Sequence, residues 1–168
     1  KLILEHIIDK CLVFSKNIII ISNRKNVKKI RSIVQKKYKK FNIKILIQKK
    51  PLGMGDAVHI GLQKVITRFA ATIWADQIYI ENETIKKTII YFKKSKSLLT
   101  FPVFFKKNPY TKLIRNKSKK FVDIIQSKEI DYDLKSGESD CGFFVFKTSK
   151  IRKLLKYLIK KKNDTFKK

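Results

Sequence analysis

The stretch from Gln48 to Val58, Gln-Lys-Lys-Pro-Leu-Gly-Met-Gly-Asp-Ala-Val, holds two of the chain's five glycines. Residues 43–47 lead into it with the alternation of a β-strand, and Asp56 stands where it can cap a following helix. A glycine-permitted bend lets backbone N–H groups approach a ligand, and a helix N-terminus favours negative charge. The stretch therefore predicts a nucleotide-binding loop, with an ordinary strand-to-helix turn as the alternative.

Carboxylates are scarce in this chain, so their placing is informative. Only 13 Asp and Glu are present, and segments 24–50 and 93–120 contain none. Asp76 comes directly after an apolar run, a position from which one carboxylate can hold Mg²⁺ against substrate phosphates. Asp56 has a simpler interpretation as a helix cap. The metal role of Asp76 therefore stays open on this argument alone.

The apolar spacing indicates which elements must position these residues. It predicts a helix to about residue 14, a strand at 17–22, a helix at 26–40, a strand at 43–48, a helix at 56–68 and a strand at 71–76. Alternating strands and helices are typical of an α/β domain with parallel strands. Ligands in such sheets bind at the carboxyl ends of the strands, where we expect Gln48 and Asp76.

The second half of the chain is more polar. We expect a helix capped by Asn82, a strand at 98–105, short strands at 112–115 and 121–126 around a turn at 116–119, a strand at 143–146 and a helix that Thr148 caps. The length of 168 residues suits a single domain. Residues 106–140 are interpreted as an insertion beside the ligand cleft.

The formal net charge of +28 invites a nucleic-acid interpretation. However, 36 of the 41 basic residues are Lys, whereas proteins that recognise base edges depend on Arg. A biased coding composition explains much of the lysine excess. The same charge also suits a protein that binds phosphorylated small molecules, because positive charge steers anions toward a cleft.

Other functional classes receive little support. Cys11 and Cys141 lie far apart inside apolar elements, which indicates buried thiols in a reducing, cytoplasmic compartment. His6 and His59 have no second metal ligand nearby. No apolar run reaches membrane-spanning length, so we expect no membrane partner.

Five segments in collinear order resemble the sugar-1-phosphate nucleotidyltransferases, most of all the pyrophosphorylase domains of N-acetylglucosamine-1-phosphate uridylyltransferases. They are residues 4–9, 48–58, 73–77, 124–128 and 138–146. The resemblance implies a Rossmann-like α/β three-layer sandwich with a mostly parallel sheet. It also implies an Mg²⁺-dependent enzyme that joins a nucleoside triphosphate to a sugar phosphate and releases pyrophosphate, with no specific nucleic-acid partner.

The resemblance assigns roles to individual residues. Gln48 and the backbone of Gly53 would contact the nucleotide base, and the loop around them comprises Pro51, Leu52, Met54 and Gly55. Asp76 would bind Mg²⁺, and Lys128 would contact phosphate. The sugar side would include Tyr110, Gln126, Asp140 and Gly142.

The chain departs from the family pattern at several positions. Met54 replaces the usual Thr, while Gln126 and Asp140 replace Glu and Asn, so neither the base nor the sugar is fixed. The family's Gly-x-Gly-Thr-Arg loop, its first strand and a second metal-binding residue do not occur in the sequence. We therefore expect a partial domain with little turnover by itself. The alternatives are a catalytically silent nucleotide-binding domain and, less favoured, a Lys-rich nucleic-acid-binding protein.

Overall fold

The computed structural model describes residues 1–127 and 134–165, with side chains to Lys161. The chain divides into two compact units, one made of Lys1–Ala70 with Phe146–Lys168 and the other of Ala71–Val145. The predicted insertion falls within the second unit, and Lys128 lies outside the described residues. Within the described chain, no helix is both long and apolar enough to cross a membrane.

Five helices and nine strands are found in these ranges. In chain order they are α1 (Ile3–Phe14), β1 (Asn17–Ser22), α2 (Val27–Lys37), β2 (Asn42–Ile47), α3 (Met54–Leu62), β3 (Phe69–Ile73), α4 (Asn82–Lys94), β4 (Leu99–Thr100), β5 (Val103–Lys107), β6 (Thr111–Arg115), β7 (Phe121–Gln126), β8 (Ser136–Asp140), β9 (Phe143–Lys147) and α5 (Thr148–Thr165).

The first unit is built on β1 and β2, which pair in parallel from Asn17 opposite Asn42 to Ser22 opposite Ile47. One face of this pair packs against α1 and α2 around a buried cluster of Ile8, Val34 and Tyr38. On the opposite face, Ile21 approaches Gly61 of α3. Both faces of β1 and β2 are therefore covered by helices, which accounts for the continuous isoleucine run in β1.

A polar network joins α1 to α2. Glu5 is 2% exposed, accepts a hydrogen bond from the backbone N–H of Leu2 at 2.8 Å and forms an ion pair with Lys37 at 2.5 Å. The Tyr38 hydroxyl donates to Asp9 at 2.9 Å. These partners satisfy carboxylates that would be costly to leave unpaired near the core.

The same network shifts the pKa values of its members. The hydrogen bond from Lys37 holds the pKa of Glu5 below its usual range. Partial burial raises the pKa of Asp9, but hydrogen bonds from Lys1 and Tyr38 outweigh it and the net pKa is lowered. Burial, together with the hydrogen bond to Asp9, raises the pKa of Tyr38 to about 12.

The second unit contains two antiparallel strand pairs. β5 pairs with β8, β6 pairs with β7, and β9 lies between β3 and β4 in a three-stranded sheet. β8 was not predicted, because Ser-Gly-Glu-Ser-Asp has no apolar alternation and is a strand only through its partner β5. The buried apolar side chains of this unit include Ile80, Ile85, Phe92, Pro109, Leu113, Leu134, Phe143 and Val145.

Several local predictions were wrong. The N-cap of α3 is Gly53, with Asp56 in the first turn, and the N-cap of α4 is Glu81, with Asn82 already helical. α3 ends at Leu62 and does not reach residue 68. The strand expected at 98–105 is interrupted at Phe101–Pro102, since proline has no backbone N–H to continue a ladder.

Candidate functional site

The predicted nucleotide loop connects the end of β2 to α3 and is closed by one side chain. The backbone N–H of Gln48 donates to the carbonyl of Ser22 at 2.8 Å, which extends the pairing of β1 with β2. The Gln48 side-chain Nε2 donates to the carbonyl of Gly53 at 2.9 Å and to Asp56 Oδ2 at 2.8 Å. Both partners are acceptors, so the amide orientation is fixed and Oε1 remains to accept from a ligand.

Gly53 allows this loop to turn into the helix. It has φ 98° and ψ 178°, a backbone conformation that only glycine adopts readily, and a Cβ at this position would meet no atom within 4 Å. The constraint at Gly53 is therefore torsional. The neighbouring Leu52 and Met54 are about half exposed, which leaves the outer surface of the loop open to a ligand.

The helix that follows the loop is held at both of its ends. At the N-terminal end, a Cβ added to Gly55 would lie 3.6 Å from Leu155 of α5. At the C-terminal end, Arg152 of α5 donates to the carbonyl of Leu62 at 2.7 Å and to that of Val65 at 2.5 Å. The cation satisfies carbonyls that a helix end leaves without partners. α5 thus fixes the element that carries the loop.

Asp76 lies in the turn that follows β3 in the second unit. The backbone N–H of Trp74 donates to the carbonyl of Gly142 at 3.0 Å, and the turn continues with a hydrogen bond from Gln77 N–H to the carbonyl of Trp74 at 3.1 Å. The Asp76 side chain is exposed and has no hydrogen-bond or ion-pair partner among the described residues. Its carboxylate is therefore available to a ligand.

The exposed Asp76 carboxylate supplies one oxygen donor of the kind that Mg²⁺ takes, and the metal itself stays a prediction. No group of three His, Cys, Asp or Glu side chains in the described ranges could hold a metal. Mg²⁺ needs no such group, because it commonly uses one or two carboxylates, water and substrate phosphate oxygens. An exposed, unpartnered carboxylate satisfies that requirement.

A side chain that contacts a sugar is expected to be exposed to the ligand, whereas Asp140 is buried. It is 9% exposed. Its Oδ2 accepts a hydrogen bond from the Thr111 hydroxyl at 2.6 Å, and its Oδ1 accepts one from the backbone N–H of Gly142 at 2.8 Å. Thr111 also lies 3.0 Å from the Ser139 hydroxyl. Both Asp140 oxygens are therefore used inside the protein.

Three further residues predicted to contact the sugar are connected to Asp140 through the chain or through strand pairing. Gly142 follows it by two residues and adopts φ +65°. Gln126 pairs with Thr111 across β6 and β7, and the carbonyl of Tyr110 accepts from Ser127 N–H at 2.9 Å. The second unit thus brings these positions into one neighbourhood, while their contact with a sugar stays a prediction.

Both cysteines are free thiols that are only partly buried, less than the sequence indicated. Burial raises the pKa of Cys11 to about 11, although neighbouring Lys10 opposes the shift. Burial, and next the charge of Asp140, raises the pKa of Cys141. Both thiols therefore stay protonated near neutral pH, and neither is an activated nucleophile.

Sequence reasoning missed two groups that organise these sites. Asp56 was interpreted as a cap, and its spacing of eight residues from Gln48 fits no short-range motif, because the contact depends on the Gly53 bend. Thr111 carried no signal either, since its bond to Asp140 spans 29 residues. The hydrogen bond between Thr111 and Asp140 could have been predicted only if β6 had been placed beside β8.

Comparison with known proteins supports one family. No protein-family model matches the chain. The bifunctional protein GlmU of Buchnera aphidicola subsp. Acyrthosiphon pisum is 31% identical over 168 residues, which cover 96% of this chain and 34% of that protein. The chain thus spans about a third of the length of the curated relatives it matches.

Solved structures show the fold. A protein from Bacillus anthracis assigned as a glucose-1-phosphate thymidylyltransferase superposes with a TM-score of 0.74 at 14% identity, over 89% of this chain and 60% of that one. The 4-diphosphocytidyl-2C-methyl-D-erythritol synthase of Anaerococcus prevotii gives 0.68 at 15% identity, over 95% and 65%. Together with the GlmU match, these likenesses identify the chain as a relative of the sugar-phosphate nucleotidyltransferases, with the nucleotide-diphospho-sugar transferase fold.

Proposed function

We propose that this chain provides nucleotide-binding and metal-binding parts of an enzyme that transfers a nucleotidyl group from a nucleoside triphosphate to a sugar 1-phosphate or a similar phosphate. The observation that carries the proposal is the Gln48 loop, a glycine turn braced by Gly53 and Asp56 at the start of a helix. The loop occurs in a chain with the nucleotide-diphospho-sugar transferase fold, and its family resemblance assigns it to the nucleotide.

In the proposed reaction, an oxygen of the sugar phosphate attacks the α-phosphorus of the nucleoside triphosphate. The new O–P bond forms as the bond from the α-phosphorus to the bridging oxygen breaks, and pyrophosphate leaves with that electron pair. The attacking oxygen is already anionic, so no general base is needed. Positioning and charge stabilisation then supply the catalysis.

The described residues have separate parts in this reaction. Gln48 Oε1 accepts a hydrogen bond from the base, and the exposed backbone around Gly53 and Met54 borders the same ligand. Asp76 holds Mg²⁺, which when bound neutralises phosphate charge. By the family resemblance, Lys128 contacts phosphate, and Tyr110 and Gln126 border the sugar.

A matched pair of assays tests the proposal. The chain is titrated with the triphosphates UTP, dTTP, CTP, GTP and ATP by calorimetry in the presence of Mg²⁺. Pyrophosphate release is then followed with a panel of sugar 1-phosphates in a full-length version, because we expect little turnover from residues 1–168 alone. We expect one triphosphate to bind at least about tenfold more tightly than the others, as expected when a base edge is recognised by hydrogen bonds. Asp76→Asn should lower pyrophosphate release, with Glu83→Gln, a change at an exposed carboxylate of α4, as the matched control.

Each rival function predicts a different result. Nucleotide binding by the full-length version without pyrophosphate release for any sugar phosphate would favour the silent domain. Tight binding of single-stranded RNA that weakens steeply as salt rises would favour the nucleic-acid binder, for which Lys28, Lys29 and Arg31 on α2 are among the exposed cations. Full activity in Asp76→Asn would remove that carboxylate from the mechanism.

A further inference from the structure

Asp140 is connected to the Asp76 turn by a short series of contacts within the second unit. Its Oδ1 accepts from Gly142 N–H at 2.8 Å. The carbonyl of the same glycine accepts from Trp74 N–H at 3.0 Å, and Asp76 follows Trp74 by two residues. One buried carboxylate therefore binds the same glycine residue to which the Asp76 turn is attached.

The packing at Gly142 makes this connection sensitive to small changes. Its φ of +65° places it in the left-handed region, and a Cβ there would lie 2.7 Å from Gln77 Cγ and 3.0 Å from Trp74 Cδ2. Backbone therefore packs directly against the two residues that flank Ala75 and Asp76. A shift of Gly142 must be transmitted to the turn, because no space separates them.

Asp140 is itself held from another strand. The Thr111 hydroxyl of β6 donates to its Oδ2 at 2.6 Å, and Ser139 supports that hydroxyl. A buried carboxylate with two donors is rigid, and removing it would leave those donors unsatisfied. The side chain of Asp76, in contrast, has no described partner to fix it.

We infer that Asp140 is a positioning residue, which acts through Gly142 and Trp74 to hold the Asp76 carboxylate where it receives a divalent cation. The inference rests on the proposed function, since it assigns a metal to Asp76. It also gives Asp140 a role other than direct contact with the sugar. Placing a reacting group precisely is a large part of catalysis, and a displacement of about 1 Å can cost about a hundredfold in rate.

Trp74 provides the measurement, because it is the only tryptophan in the sequence. MnCl₂ is titrated into the chain in the presence of UTP, and paramagnetic broadening of the Trp74 indole N–H signal is followed by NMR. Hydrogen exchange of the Trp74 backbone N–H is measured without metal. Asp76→Asn serves as the control for metal bound elsewhere.

We expect Asp140→Ala to weaken the Mn²⁺ response at least about tenfold and to speed Trp74 exchange by a similar factor, as loss of a buried hydrogen-bond acceptor implies. Asp140→Asn should stay within roughly threefold of wild type, because an amide oxygen still accepts from Gly142 and its NH₂ can pair with Thr111. Glu138→Gln, on the same strand but paired with Arg115, should change neither measurement.

A folded Asp140→Ala protein with wild-type Mn²⁺ response and slow Trp74 exchange would overturn the inference alone. A wild-type chain without a Mn²⁺ response that depends on Asp76 would overturn both the inference and the metal role in the proposed function. If Asp140→Ala does not fold, Thr111→Val replaces it. That variant removes one hydrogen bond to Asp140, and unchanged exchange at Trp74 in it would contradict the inference.

Discussion

Gln48 and Asp56 face each other across a glycine turn, and the side-chain amide of the first donates to the carboxylate of the second at 2.8 Å. The contact fixes both the shape of the loop and the amide atom that faces outward. We therefore expect Asp56 to affect nucleotide binding through Gln48, even though the cap that its position suggested is absent.

Replacing Asp56 with Ala should loosen the loop without unfolding the first unit. A hydrogen bond to a partly exposed carboxylate is worth about 1 kcal/mol, so nucleotide affinity should fall about fivefold. Calorimetry with the preferred triphosphate measures the affinity, and hydrogen exchange over residues 48–56 measures the loosening. Asp56→Asn, which can still accept from Gln48, should lose less, and equal losses in both variants would contradict this role.

Gly53 and Gly55 offer a comparison of two glycines in one loop. Gly53→Ala must place a side chain at φ 98°, which should cost about 1–3 kcal/mol of unfolding free energy. Gly55→Ala lies within α3, has room beside Leu155, and should be neutral or stabilising by up to about 1 kcal/mol. Urea unfolding of both variants checks the difference, and equal effects would show that the backbone conformation at Gly53 is not constrained.

Arg152 should matter more for stability than its place on a polar helix suggests. Arg152→Met removes the charged donors to the carbonyls of Leu62 and Val65 and should cost about 2 kcal/mol, the usual scale for a hydrogen bond to a charged group. Thermal unfolding measures the loss. Arg152→Lys can keep one of these bonds and should lie between wild type and Arg152→Met. A wild-type melting temperature for Arg152→Met would show that the α3 terminus needs no such partner.

Acid should weaken the packing of α1 on α2. The folded-state pKa values of Glu5 and Asp9 are lowered, so their contribution to stability is fully present above the unfolded values near about pH 4 and is lost as the pH falls through the lower folded values. Urea midpoints of wild type should therefore drop steeply below about pH 4. Glu5→Gln should be less stable at pH 7 and show a shallower drop, and parallel pH profiles would exclude Glu5 as a contributor.

The spacing of apolar residues was sufficient to predict those elements whose tertiary environment agrees with their own secondary-structure preference. β1 and β7 have the bounds expected from their apolar residues, and the parallel pairing of β1 with β2 follows from strand–helix alternation. The resemblance also led to the fold that the solved structures show.

Long-range contacts account for the features that the sequence did not reveal. α3 ends at Leu62 where a side chain 90 positions later supplies hydrogen bonds to its carbonyls. β8 is a strand because β5 is beside it, and its own residues give no such signal. The bonds of Asp140 to Thr111 and Gly142 likewise depend on how the strands of the second unit meet.

The division of the chain into a continuous unit and a split one has a consequence for biosynthesis. Residues 71–145 form their unit from one uninterrupted segment, whereas the other unit needs both Lys1–Ala70 and the segment that begins at Phe146. Domains generally fold as units during synthesis. During translation the inner segment can therefore fold first, while β1, β2 and α3 emerge from the ribosome early and wait for α5 before the nucleotide loop gains its final support.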